Sequence, residues 1–115
     1  MQRKFRLTRS DDFKRVRQSG RSYAHPLVVL VARASDQPRV RVGVAAGRTV
    51  GNAVYRNRAK RLLREAMRPL VAGIPAGWDL ILIARPGLTT ATLTDTRVAL
   101  DSLLRRAGLT PIHEA

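Results

Sequence analysis

A small α/β sandwich is the fold class this sequence predicts, and three observations predict it. Two Val- and Leu-rich runs have strand length, the apolar period changes from 2 to 3.6 in the segment before the second run, and another amphipathic helical segment closes the chain. The 115 residues suit one domain of about 13 Å radius of gyration. At 44%, the hydrophobic residues suffice for a core. The expected order is α-β-β-α-β-α, an α/β (α+β) two-layer sandwich occupying residues 1–115 as a single domain.

Ser10 is placed to cap the first helix, with Asp11 and Asp12 in its first turn facing the positive helix end and Gly20 stopping it. Phe13 and Val16 are the residues it can bury. Residues 27–32 form an unbroken apolar run, which predicts a central strand covered on both faces. Ser35-Asp36-Gln37-Pro38 is a turn sequence, and beyond it Val40, Val42 and Val44 alternate with Arg39, Arg41 and Gly43. These two strands are expected to form a hairpin whose second member carries arginines outward. Over residues 54–70, Tyr55, Ala59, Leu62, Leu63, Ala66, Met67 and Leu70 fall within one arc of a helix that packs on the sheet, and Pro69 should kink or end it. Gly73, Pro75 and Gly77 mark a loop before the strand Trp78–Ala84. Thr94 is placed to cap a last helix whose Ala99, Leu100, Leu103, Leu104 and Ala107 share one face before Gly108 closes it.

Several function classes fall away on composition. The chain has no Cys, so disulfides, thiolate zinc sites and thiol nucleophiles are excluded, and a cytoplasmic location is expected. The longest apolar run is far shorter than the roughly 20 residues of a membrane span, and the first residues lack a signal-peptide apolar region. His25 precedes a proline and His113 lies near the end of the chain, so no histidine pair points to metal or acid–base chemistry.

Charge is the positive signal. The 22 Lys and Arg outnumber the eight Asp and Glu, for a net charge of +14. All of that excess lies in residues 1–68; the remainder of the chain is neutral. A one-sided field opposes folding through self-repulsion and suits a protein that binds a polyanion, nucleic acid first. Within the central helix, Arg56, Lys60, Arg64 and Arg68 recur every four residues, a row rising by about 6 Å per step that can follow a phosphate backbone. Asn57 and Arg61 flank the row, and Arg58 points from another angle toward a second strand. Gly47 and Gly51 bracket the approach to the helix, but no Gly-Lys-Ser/Thr follows, so no nucleotide P-loop is present.

The run Val50-Gly51-Asn52-Ala53-Val54, followed by Arg56-Asn57-Arg58, Lys60-Arg61 and Leu63-Arg64-Glu65, resembles the signature of the bacterial ribonuclease P protein component. That family supplies the small basic subunit of the RNA-based enzyme that matures transfer RNA. The resemblance extends to Arg6-Leu7, Asp12-Phe13, Gly20, residues 39–44 with Gly43, Ile83-Ala84-Arg85 and the chain length. It implies a βαβ unit of left-handed crossover around the Arg-Asn-Arg helix. It also implies an endoribonuclease subunit with no catalytic residue of its own, because the RNA subunit hydrolyses the substrate with Mg2+ that the RNA mainly binds. Its partners are ribonuclease P RNA and precursor tRNA, with no membrane and no obligate protein partner. Carried over residue by residue, Arg48, Asn52, Arg56, Asn57, Arg58, Lys60, Arg61, Arg64 and Arg68 contact the catalytic RNA. Phe13 becomes part of a cleft for the 5′ leader of precursor tRNA. Where the family often has two further cleft aromatics, this chain has Arg17 and Val31, so its cleft relies on Arg9 and Arg17; Thr49 stands where a second base often follows Arg48. The alternative is a ribosomal or other structural RNA-binding protein.

Overall fold

The computed structural model describes residues 3–109. Its main elements are α1 (Ser10–Ser19), β1 (Arg21–Ala24), β2 (Val28–Ala34), β3 (Arg41–Ala46), α2 (Ala53–Val71), β4 (Trp78–Ala84) and α3 (Leu93–Arg106), with short 3-10 turns at Arg3–Phe5, Arg48–Val50 and Pro86–Thr90. His113 lies outside the described residues.

The four strands lie in the order β1-β2-β4-β3, with β1 and β4 antiparallel to β2 and β3 parallel to β4. The expected hairpin between β2 and β3 therefore does not form. Leu80, Ile81 and Leu82 of β4 are buried from both sides, so β4 takes an inner position between the other two strands. β3, with Gly43 and the half-buried Arg41, goes to the edge. β2 is inner as expected because β1 covers its other side. β1 is a strand that the sequence pattern does not announce: its four residues, Arg-Ser-Tyr-Ala, are exposed or half-buried and show no apolar alternation. His25 shapes the β1–β2 turn, its Nδ1 accepting from the Leu27 amide at 3.1 Å.

Alternation divides the sheet into two faces. Val28, Leu30, Val42, Val44, Leu80 and Leu82 meet α2 and α3 in the main core, where Leu63, Met67, Leu100, Leu103 and Leu104 are fully buried. The opposite face carries a smaller core of Leu7, Val16, Val31 and Ile81 beneath α1. The expected two layers are thus the sheet and the α2–α3 pair, and α1 adds a partial third. At the free edge of β3, the Leu7 amide bonds to the Val42 carbonyl at 2.9 Å.

Helix ends differ from expectation in three places. Arg9, not Ser10, occupies the cap position of α1, with no side-chain cap bond. Thr92, not Thr94, caps α3 in a reciprocal capping box with Asp95. Pro69 lies inside α2, which runs on to Val71. It sits in the last turn, so its missing N–H removes a single bond, and the burial of Val71 against the main core offsets that loss. Gly108, at φ +72, lets the chain reverse after α3. The Leu109 and Gly108 amides then reach the carbonyls of Leu104 and Arg105 at 2.9 and 3.0 Å, the bond pair of a Schellman closure.

Candidate nucleic-acid interface

The approach to α2 is a tight turn anchored by buried Val50 and passing through Gly51 at φ +137, a conformation that a side chain would strain. The Asn52 side chain then accepts from the Tyr55 amide at 3.2 Å and caps the helix. Its NH2 group is left for a ligand. Arg48 is exposed beside this turn.

Along α2, Ala59, Leu63, Ala66, Met67 and Val71 face the core. Helical spacing from these residues puts two cationic edges on either side of the buried stripe. Arg56, Lys60 and Arg64 line one edge and are half-buried; Asn57, Arg58 and Arg61 are exposed on the outer surface. Arg68 ends the row and is paired with Glu65 at 3.1 Å, so its charge is partly neutralised. The Arg56 Nε is buried with no hydrogen-bond partner, a donor left unsatisfied in the free chain. Tyr55, expected to pack, is 48% exposed; its ring base lies over Gly51.

The second region lies on the other face of the sheet. α1 crosses the strands there, held at one edge by Asp12 to Arg41 at 3.3 Å and by Ser19 to Arg33 at 2.7 Å. The Phe13 ring packs against Gly43, where its Cζ and Cε2 leave no room for a Cβ. One register row further along, Val29, Ile83 and Ala45 are half-buried and uncovered by α1. The result is an apolar shelf on the sheet flanked by α1. Phe13 and the exposed Arg17 lie on the edge of α1 away from Asp12 and Ser19, four residues apart, and Arg9 is exposed at the helix start. Phe13 also borders a cavity of about 200 Å³ that it shares with Arg6, Leu7, Gly43 and Arg64. Arg64 therefore brings the cationic helix to the cavity that Phe13 borders.

Val31 does not belong to this surface. It is 4% exposed and packs beneath α1 with Val16 and Ile81. Strand parity offers its neighbour by two, Val29, together with Ile83, as the accessible apolar residues instead. Period-2 counting along β2 carries that information, but only once the covering helix is placed.

Nearly the whole chain matches a family model: residues 1–108 fit the model described as Ribonuclease P. The chain belongs to the ribonuclease P protein family. It is similar to the ribonuclease P protein component of Herpetosiphon aurantiacus, 44% identical over 95% of this chain and 89% of that one. It is also similar to that of Brevibacillus brevis, 39% identical over 98% and 93%. Its fold matches the RNase P protein of Staphylococcus aureus, with a TM-score of 0.82 and 29% identity over 92% of this chain and 97% of that one. For the RNase P protein from Thermotoga maritima the TM-score is 0.77, at 30% identity over 88% and 96%. The chain is thus the protein subunit of an endoribonuclease whose other component is ribonuclease P RNA, and the ribosomal alternative is not favoured.

Magnesium is the metal the resemblance leads one to expect. Among the described residues no group of three His, Cys, Asp or Glu comes together, and the interior carboxylates Asp12 and Asp79 are both bonded to Arg41. These residues do not fit a divalent-metal site, which needs several free oxygen ligands. Nor is any helix among them long and apolar enough to cross a membrane.

Proposed function

We propose that the chain holds ribonuclease P RNA through Arg48, Asn52, Asn57 and the arginines and lysine of α2, and holds the 5′ leader of precursor tRNA in the cleft beside α1, through Phe13, Arg9 and Arg17. The observation that carries this reading is the junction at Arg64, where the cationic edge of α2 and the Phe13 cavity meet. One continuous positive surface can then span the catalytic RNA and the single strand leaving the cleavage site. Two RNAs brought together repel each other through their phosphates, a repulsion that divalent ions otherwise screen. Guanidinium groups fixed along α2 replace part of that screening, and their planar forks match phosphate oxygens. A contact to the leader exists only before cleavage, so binding energy placed there favours substrate over product. Magnesium belongs to the RNA in this scheme, and the protein works in the cytoplasm, where tRNA precursors are made.

The test combines the purified chain with bacterial ribonuclease P RNA and a 5′-labelled precursor tRNA at low magnesium. The chain should lower the magnesium needed for cleavage and cut nothing by itself. Robust cleavage by the RNA-free chain would refute the proposal.

Phe13→Leu separates packing from stacking. Leu keeps most of the bulk over Gly43, so stability should stay within roughly 1.5 kcal/mol of the parent. A base stacked on the ring is worth about 1–3 kcal/mol, so binding of leader-bearing precursor should weaken by that amount while mature tRNA binds as before. Equal losses for the two RNAs, measured by titration, would make Phe13 a packing residue alone.

A further inference from the structure

α2 has a second groove, on the side away from Phe13. Arg58, Arg61, Leu62 and Glu65 face Ala91 and Leu93 at the entry to α3, enclosing about 480 Å³. That lies within the roughly 300–1,000 Å³ of sites that take small organic ligands. The three apolar side chains are half-buried and form the floor; the two arginines are exposed at the rim. Arg58 and Arg61 have no carboxylate partner among the described residues, and Glu65 is already paired with Arg68 at 3.1 Å. Two turns back along the stripe of Leu62 stands Tyr55, 48% exposed. An apolar floor with free guanidinium groups above it asks for a ligand that is flat on one side and anionic on another.

We propose that this groove takes one unstacked nucleotide of the bound RNA, its base against Leu62, Ala91 and Leu93 and its phosphate held by Arg58 and Arg61. Unpaired bases splayed from RNA loops stack on guanidinium planes as well as on rings, and the fork of Arg pairs with phosphate through two parallel bonds. A helix from another protein would cover the floor but leave two cations without counter-charge. The inference rests on the RNA-binding reading and deepens it: the RNA wraps α2 from both sides, with Arg56, Lys60 and Arg64 tracking one strand and the α3-side groove gripping a base of another.

Two measurements test it. Adenosine 5′-monophosphate at millimolar concentration, added to the unmodified chain, should shift the methyl NMR signals of Leu62, Ala91 and Leu93, whereas inorganic phosphate alone should not. Equal shifts from both would reduce the site to an anion contact on the arginines and overturn the proposal. Ala91→Leu, which fills the groove without altering charge, should weaken binding to ribonuclease P RNA roughly tenfold, as for the loss of one stacked base. A folded Ala91→Leu chain with parental affinity would overturn it as well, and would leave the broader reading intact so long as the parent binds that RNA. If the parent fails to bind, the broader reading falls first. The titration stands even where Ala91→Leu folds poorly.

Discussion

Replacing Arg56, Lys60 and Arg64 together by Ala should flatten the salt dependence of RNA binding by about two to three units of log K per log salt, at roughly 0.7–0.9 per phosphate released. The expectation follows from position. All three side chains lie half-buried along one edge of the buried stripe of α2, and none has a carboxylate partner among the described residues. Their charge is therefore available to a polyanion in a way that the charge of Arg41 is not, and with less offset than that of Arg68, which faces Glu65. The fold should survive, because Ala59, Leu63, Ala66, Met67 and Val71 still bury the same stripe and Ala favours helix at each site. Losing the Arg56 side chain even removes a buried donor that has no partner. Binding measured across a salt series, with circular dichroism to confirm the helix, decides the matter; an unchanged slope in a folded triple variant would take this edge of α2 out of the interface.

The parts of this surface that were legible in the sequence are those fixed by local periodicity. A 3.6-residue period with cations held off the apolar arc identifies α2 and its charged surface together, and β4 begins and ends at the expected Trp78 and Ala84. The parallel pairing of β3 with β4 was expected from the βαβ unit around α2 and is found; what was not legible is that β4, some thirty residues later, inserts between β2 and β3 in place of the expected hairpin, because nothing local to residues 40–46 says so. β1 escaped notice because an exposed edge strand needs no apolar pattern. Val31 misled because one face of β2 looks like the other until α1 is laid across it. The same holds for Asp12, whose place in the first turn of a helix gives it a sufficient local role beside its long-range bond to Arg41.

That bond belongs to a cluster whose disruption should be the most damaging single change in the molecule. Arg41 binds Asp79 through two hydrogen bonds, of 2.9 and 2.8 Å, and reaches Asp12 at 3.3 Å. Asp79 is 3% exposed and Arg41 sits directly across from it in the β3–β4 register. The Asp79 hydrogen bond is the main cause holding the Arg41 pKa above its ordinary value, against desolvation, which lowers it. A raised cationic pKa means that this stabilisation is complete through neutral pH and is lost only as pH rises through the raised value, in strong alkali. Arg41→Met should therefore destabilise the fold across the physiological range by about 3–5 kcal/mol, because it strands a carboxylate in the interior. Arg41→Met with Asp79→Leu removes both charges and should recover most of that loss, since buried ion pairs often exchange for apolar pairs at little cost. Thermal unfolding of the single and double variants checks both expectations, and a single variant within 1 kcal/mol of the parent, on the order of the worth of an exposed pair, would mean that water reaches Asp79. The consequence for RNA is selective. Asp12 is the carboxylate that ties α1 to β3, so the double variant, folded but lacking Arg41, should keep its affinity for ribonuclease P RNA through α2 while its preference for precursor over mature tRNA weakens, because the wall that carries Phe13 and Arg17 loses one of its anchors and rests on Ser19–Arg33 and the Val16 contact.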